Sequence, residues 1–119
     1  MFKKINLKCC NGEEKAFDFL ANGATAYKYR QIFHEDLMLK LSKLQDFQNK
    51  AEGGDTLIID KLAFVMNAQA RKINTETINT KEFEDWIEML ESGELLAHAD
   101  EIISLYIGNK ISMSTAKKN

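Results

Sequence analysis

The densest group of chemically capable side chains is the stretch NGATAYKYRQIFHEDLM, residues 22–38. It holds two tyrosines, an arginine, a histidine and two carboxylates. On a helix, successive side chains point about 100° apart, so His34, Glu35 and Asp36 diverge instead of meeting at one ligand. The second histidine, His98, has no metal-ligand or catalytic spacing around it. We therefore expect no catalytic or metal site here, and both histidines to be solvated helix residues.

The remaining motifs for chemistry are equally weak. The NGAT turn has one glycine and no following lysine, unlike a phosphate-binding loop. The acidic stretch TKEFEDWIEMLESGE lacks the spacing of a calcium loop, and its carboxylates are expected to form a solvated face. No serine, cysteine or lysine nucleophile has a matched base. The sequence therefore predicts a protein that is not an enzyme and has no cofactor.

Composition narrows the class of protein further. A chain of 119 residues with 45% hydrophobic and 29% charged residues predicts one globular domain. The formal net charge of −2 argues against a broad nucleic-acid surface. No apolar run approaches the roughly 20 residues of a membrane-spanning helix, and the first residues lack the apolar region of a secretory signal. We expect neither nucleic acid nor membrane among the partners.

The two cysteines, Cys9 and Cys10, are adjacent in sequence. Neighbouring residues do not easily close an unstrained disulfide, and two ligands at this spacing do not make a zinc site. On a strand their side chains point to opposite faces. We predict one buried and one exposed thiol in a reducing cytoplasm.

Hydrophobic periodicity predicts a mainly α (α+β) fold, in which an N-terminal β-hairpin is followed by a compact bundle of about four helices. Asn11-Gly12 is a strong hairpin signal. The segment LAFVM lies in a stretch that is apolar on almost every side, as expected of a central helix. The predicted elements are a hairpin over 2–19, helices over about 24–48, 55–72, 81–92 and 94–107, and a flexible tail over 109–119, with residues 1–108 as one domain.

Capping residues set the expected helix ends. Asn22 or Thr25 is expected to start the first helix, and Asp55 or Thr56 the second. Asn79, with a glutamate three residues later, resembles a capping box. Glycines are expected to terminate the last two helices, at Gly93 and Gly108.

The first helix is expected to bury Tyr29, Phe33 and Leu37, while Lys28 and Glu35 face water. Truncation of Phe33 to alanine is then predicted to cost about 3–5 kcal/mol. Methionines 38, 66 and 89 are expected to fill gaps in the core. The predicted core comprises Phe17, Phe19, Tyr29, Phe33, Leu37, Leu41, Ile58, Leu62, Val65, Trp86, Ile87, Leu90, Ile102, Ile103 and Tyr106.

The segment FDFLANGATAYKYRQIFHEDLMLKLSKL resembles the start of tail assembly chaperones from long-tailed phages of Gram-positive bacteria. The similarity consists of an aromatic-ended strand, an Asn-x-Ala-Thr turn and the pattern Tyr-x-Tyr-Arg-x-x-Phe-x-x-Asp. Later stretches, DKLAFVMNAQA and FEDWIEMLE, are also similar to that family, so that the resemblance covers about residues 17–107. The matching residues of the first motif are Asn22, Ala24, Thr25, Tyr27, Tyr29, Arg30, Phe33 and Asp36.

The resemblance implies a non-enzymatic function in the cytoplasm of the host bacterium. Proteins of that family keep the long tape measure protein soluble, help to recruit tail tube subunits and are absent from the finished virion. A longer form is commonly made by programmed frameshifting, and the ending TAKKN is compatible with a slippery adenine-rich codon run. Self-association would also fit such a role. The candidate partner-binding residues are Tyr27, Arg30, Asp36 and Trp86.

A second interpretation remains open from the sequence. The same helices could belong to a small helical regulator of a phage or prophage that binds another protein. A DNA-binding regulator would need a basic recognition helix. The most apolar helix has only Arg71 and Lys72 at its end, which argues against that variant.

Overall fold

The N-terminal hairpin has the predicted position. The computed structural model describes residues 1–42 and 57–118. Strand β1 (Phe2–Lys8) and strand β2 (Glu14–Leu20) pair antiparallel, with Ile5 opposite Phe17. The predicted β-hairpin is therefore confirmed.

Alternation along the two strands creates one apolar face. Ile5 and Leu7 are buried on β1, and Phe19 is buried on β2 beside the half-buried Phe17. Because side chains two residues apart lie on the same side of a strand, these four form one surface. That surface packs against the helices, chiefly through β2. This packing stabilises the hairpin, because an isolated two-stranded hairpin is only marginally stable in water.

The hairpin turn spans five residues, Cys9 to Glu13. The amide of Cys9 donates a hydrogen bond of 2.7 Å to the carbonyl of Glu13, and Gly12 has a φ of 89°, a conformation that glycine adopts without strain. Cys9 is buried and Cys10 is exposed, so the predicted division between the two thiols is confirmed.

Six helices follow in the part of the chain that the structure describes, which confirms the mainly α class with a hairpin in front. Two of the four predicted helices are each split into two shorter ones. The helices are α1 (Thr25–Phe33), α2 (37–42 in its described part), α3 (Leu57–Ala70), α4 (Thr80–Glu88), α5 (Glu94–Ala97) and α6 (Ala99–Lys118).

Helix α3 is the centre of the molecule. Between Ile58 and Gln69 its side chains are buried on nearly every side, as the sequence predicted. It packs against β2, α1, α4, α5 and α6. Its end is a Schellman motif, because the amide of Ile73 donates to the carbonyl of Ala68 at 3.1 Å and Lys72 has a φ of 60°. The caps predicted at positions 55 and 56 lie outside the described residues.

The predicted continuous helix over 24–48 is wrong at residues 34–36. His34 ends α1 in the left-handed conformation, with a φ of 57°, and its amide donates to the carbonyl of Arg30. Asp36 then caps α2, because its Oδ1 accepts a hydrogen bond of 3.1 Å from the amide of Leu39. The apolar period carries on across this break, and Leu37 is still buried, so periodicity alone could not reveal it. Residues 43–48 lie outside the described part.

The start of α1 also differs from the expectation. Its N-cap position is Ala24, which has no side-chain cap. The hydroxyl of Thr25 is instead fully buried and donates to Oε1 of Gln69 at 2.7 Å, and Nε2 of Gln69 donates to Oδ1 of Asn22 at 2.9 Å. Asn22 and Thr25 therefore link the start of α1 to α3 through an amide bridge.

Helix α4 begins as predicted but ends early. Oδ1 of Asn79 accepts from the amide of Glu82 at 3.1 Å, which confirms the predicted cap. The helix stops at Glu88, because the following residues pair with the hairpin. Gly93 does adopt the predicted left-handed conformation, with a φ of 78°, but it stands at the start of α5 and not at the end of α4.

The last predicted helix is divided at His98, which ends α5 and whose carbonyl accepts from the amide of Ile102 in the first turn of α6. The expectation that Gly108 ends this helix is wrong, since α6 continues to Lys118. A glycine inside a helix costs only about 1 kcal/mol relative to alanine, so neighbouring turns can carry the helix past it. The flexibility of segment 109–119 stays a prediction.

Most of the predicted core is buried, but four of its members pack against the core and keep some exposure: Phe17, Phe33, Ile87 and Ile103. Several buried residues were missing from the prediction. These include Ile5, Leu7, Ile32, Phe64, Phe83, Leu95 and Leu105, whereas the expected burial of Met66 is confirmed.

Candidate partner-binding groove

A groove opens between the end of α3, the loop 71–79 and α4. Its volume is about 370 Å³. Its lining is mainly apolar, with three charged side chains at the edges. We call it the α3–α4 groove and define it by Phe64, Arg71, Ile73, Ile78, Glu82, Asp85, Trp86 and Met89.

Aromatic rings in tilted and edge-on contact form the floor of this groove. Phe64 and Trp86 lie 5.6 Å apart between ring centroids, and Phe64 and Phe83 lie 5.5 Å apart. On the side towards the hairpin, Phe17 meets Trp86 edge-on at 6.0 Å. Each such pair contributes about 0.5–1.5 kcal/mol beyond simple burial. Phe64 and Trp86 are almost completely buried, so the floor is part of the packed core.

Met89 provides the adaptable rim. Its carbonyl accepts a hydrogen bond of 2.9 Å from the amide of Cys10, and the neighbouring Leu90 bridges to Cys9. The backbone is thus held against the hairpin, while 47% of Met89 remains exposed. Its side chain also lines a smaller cavity of about 170 Å³ beside Phe17. A flexible thioether at such a place can adjust to different apolar surfaces.

The groove has charges of opposite sign on its two walls. Glu82 and Asp85 stand on α4, three residues apart and on the same face. Arg71 lies on the other wall, just after α3. Asp85 also meets Lys81 at 3.6 Å, but both side chains are largely exposed, so this pair contributes little.

Of the four sequence-predicted partner residues, Trp86 lines the groove and the other three do not. Tyr27 is 65% exposed on α1, and its hydroxyl accepts from Nε2 of Gln31 at 3.3 Å. Arg30 and Asp36 are exposed as well, and Asp36 serves as the cap of α2. The structure therefore brings one predicted residue to the groove.

Sequence reasoning missed most of the lining. Ile73 and Ile78 fall in a threonine-rich segment that reads as a polar loop. Met89 was expected in the core, as was Met38, yet both are about half exposed. The spacing of Met89 could have indicated its place in the groove. It follows Trp86 by three residues, so the two side chains lie on the same side of the helix.

A second cluster surrounds Glu35, which was expected to face water. The hydroxyl of the fully buried Tyr29 donates to Oε1 of Glu35 at 2.9 Å. Nζ of Lys61 lies 3.2 Å from both carboxylate oxygens, and Nζ of Lys40 lies 3.7 Å from Oε2. Lys61 also sits 5.3 Å from the centre of the Phe33 ring. The carboxylate thereby ties α1 and α2 to α3.

These contacts set the acidity of Glu35. Burial raises the pKa of its carboxyl, but the hydrogen bonds from Tyr29 and Lys61 and the charges of Lys61 and Lys40 outweigh burial, so the pKa is lowered overall. Its stabilising contribution is therefore present above the ordinary pKa of about 4.5. It is lost as pH falls through the lowered pKa of the folded state.

We predict that Glu35→Gln lowers the free energy of unfolding by about 1–3 kcal/mol at neutral pH, because it leaves the poorly exposed Lys61 without its charge partner. Urea denaturation measures this loss. The matched control is Glu84→Gln on the exposed face of α4, which should change stability by less than about 0.5 kcal/mol. Equal stability of the two variants would show that the Glu35 cluster has no net structural effect.

A third cluster lies where α5 meets α6. The ring of His98 contacts two carboxylates: Nδ1 is 2.9 Å from Oε1 of Glu101, and Nε2 is 3.2 Å from Oε2 of Glu94. Glu94 also accepts from the amide of Lys8, and Glu101 pairs with Lys3 at 3.2 Å. The expectation of a simply solvated His98 is wrong, because this ring connects the helix junction to carboxylates held by β1.

The hydrogen bond to Glu101 is the main reason that the pKa of His98 is raised, while burial opposes it and the charges of Glu101 and Glu94 support it. The cluster also lowers the pKa of Glu101, chiefly through the hydrogen bond from His98. The charged imidazolium can donate to both carboxylates at once, which the neutral ring cannot.

We therefore predict that stability depends on pH through His98. Its contribution is complete below its unfolded pKa, about 6.5, and disappears as pH rises through the higher folded pKa. The stability difference between the native chain and His98→Asn should be larger at about pH 6 than at about pH 9. Thermal unfolding at both pH values measures it, and a difference that does not change with pH contradicts the charged cluster.

Neither a metal site nor a membrane-spanning helix is found in the described part of the chain. Within residues 1–42 and 57–108, no group of three histidine, cysteine or acidic side chains could hold a metal ion. Over those residues, none of the helices has both the length and the apolar character of a membrane span.

Among the residues that the structure describes, the α3–α4 groove thus has a strong physical case for binding a partner. It combines a buried aromatic floor, a half-exposed methionine at the rim and charged side chains on both walls. Comparisons with models of protein families, with curated proteins and with solved structures give no match for this chain.

Proposed function

We propose that this chain is a tail assembly chaperone of a long-tailed phage or prophage, and that it binds the tape measure protein and keeps it soluble before assembly. The support is of two kinds. One is the resemblance of the segment 17–107, above all its Asn-x-Ala-Thr turn and the tyrosine-rich helix after it. The other is the α3–α4 groove, which is the observation that carries the proposal.

The groove suits a helical client. A partner helix that lays its apolar stripe into a groove needs a hydrophobic floor and pockets spaced for successive turns. Phe64 and Trp86 provide the floor, and Met89 provides a rim that can adapt to varied side chains. Tape measure proteins are long and largely helical, so they would offer many such stripes, and no catalytic group is required to hold them.

The wider proposal follows the family resemblance. The chaperone would act in the cytoplasm of the host, help to bring tail tube subunits to the client and be absent from the mature virion. Several copies would coat one client, with or without contacts between the copies. The chain would be the short form of a frameshifted pair, and the gene should then show a slippery codon run over Lys117–Asn119 with an overlapping reading frame beyond it.

Co-expression with the tape measure protein from the same genome tests the function. The expected result is that the client moves from the insoluble to the soluble fraction and co-purifies with this chain. Expression of the client alone is the control. If the client stays insoluble and no complex forms, the chaperone proposal fails, and a small helical regulator with another partner becomes the better interpretation.

A further inference from the structure

We infer that the α3–α4 groove selects client helices that carry lysine or arginine beside their apolar stripe. The identity of the natural client rests on the proposed function. The selectivity itself follows from the groove and can be measured without that client.

The wall formed by α4 is strongly acidic. Along Thr80–Glu88 four carboxylates accompany a single lysine. Two of them, Glu82 and Asp85, line the groove and are exposed. Being three residues apart, they form a row beside Trp86. A helix lying on Trp86 would therefore pass along this row.

The cations already nearby leave this negative potential largely in place. Lys81 approaches Asp85 at 3.6 Å, but both side chains are mostly in water, so their attraction is weak. Arg71 stands on the opposite wall, and the three charged lining groups sum to −1. Glu84 and Glu88 are on the same helix but are not among the residues that line the groove. The two walls thus favour a ligand whose positive side faces α4.

The size of the groove favours a helix face over a whole domain. Its volume of about 370 Å³ is near the lower end of the range for ligand pockets, roughly 300–1,000 Å³. That space admits a few apolar side chains from one face of a helix. Lysines next to such a stripe can rest their methylene chains on Met89 and extend their ammonium groups to Glu82 and Asp85.

Two synthetic helices of about 18 residues test the inference, since this length gives roughly five turns. Both carry the same leucine stripe and no tryptophan, and one has lysine and the other glutamate beside the stripe. Trp86 is the chain's single tryptophan, so its fluorescence reports on the groove directly. At low salt we expect the lysine peptide to bind about tenfold more tightly, with the contrast shrinking as salt screens the charges. Equal affinities, or binding of neither peptide, overturn the inference.

Two charge-matched double variants locate the effect. E82Q/D85N removes the carboxylates that line the groove, and E84Q/E88Q removes two from the same helix outside it. The first should weaken binding of the lysine peptide by about three- to tenfold, and the second by less than about twofold. Similar losses in both would mean that only net charge matters, which contradicts a selective groove.

The co-expression test of the proposed function and the peptide test of charge selectivity can fail separately. If the tape measure protein is solubilised but the peptides show no charge preference, the chaperone function stands and the selectivity is wrong. If the charge preference is found but no tape measure complex forms, the groove binds basic helices and the proposed client is wrong.

Discussion

Replacement of Phe64 by alanine is expected to lower the free energy of unfolding by about 3–5 kcal/mol. Phe64 is 2% exposed on the central helix α3, and its ring contacts those of Phe33, Phe83 and Trp86. Alanine would leave a cavity among rings that cannot collapse into it without breaking their own contacts. The loss also includes the edge-on aromatic interactions.

Chemical denaturation followed by circular dichroism measures this effect, and Trp86 fluorescence provides a second probe of the same region. Phe33→Ala is the comparison. Because the structure leaves Phe33 half-buried, its truncation should cost about 1–3 kcal/mol, less than the sequence alone suggested. A loss below about 1 kcal/mol for Phe64→Ala would mean that the aromatic floor is not a packed core.

The second large effect is expected for client binding. Met89→Lys should reduce capture of the tape measure protein at least about tenfold, because a charged ammonium replaces the apolar rim beside Trp86. The same change should leave the stability of the free protein within about 0.5 kcal/mol, since Met89 is 47% exposed. Pull-down of the co-expressed client at several protein concentrations measures the loss.

Leu96→Lys is the matched control. Leu96 is 52% exposed on α5 and is not among the residues that line the groove. It therefore introduces the same charge on an equally exposed apolar residue elsewhere on the surface. Loss of capture by both variants would indicate a general charge effect. Retention of capture by Met89→Lys would show that the client binds at another place.

The features that local sequence determines were predictable. The Asn11-Gly12 turn lies between two alternating segments, and Asn79 precedes a helix with a glutamate at the right distance. Each of these signals acts within a few residues of the chain. The apolar character of α3 likewise indicated its central position, since a helix without a polar face must be covered by neighbours.

The helix breaks were harder to predict because they depend on distant contacts. The apolar spacing continues from Phe33 to Leu37 although α1 ends at His34. The local sign of a new helix was Asp36, an ordinary capping residue. The pairing of Glu35 with Lys61 joins residues 26 positions apart. Likewise, His98 is connected to the hairpin through Glu94 and Lys8. No period in the sequence encodes such tertiary pairs.

The groove, too, could be predicted only in part from the sequence. Trp86 was recognised as a candidate anchor from its type and its place on an amphipathic helix. Its partners Ile73 and Ile78 come from a loop whose polar composition hides them, and Phe64 comes from α3. Only the folded chain brings these residues together. Two residues of the motif that carries the resemblance contribute to packing and capping: Tyr29 is buried on α1, and Asp36 caps α2.

Site-specific photocrosslinking gives the most direct test of the central claim, which is that the α3–α4 groove holds a helical segment of the client. A photoreactive residue is placed at position 89, and in a second protein at position 96, and each is co-expressed with the tape measure protein. We predict crosslinks from position 89 to apolar positions spaced three or four apart in the client, and few from position 96. Crosslinks that are absent at 89, or equal at both positions, would contradict the claim.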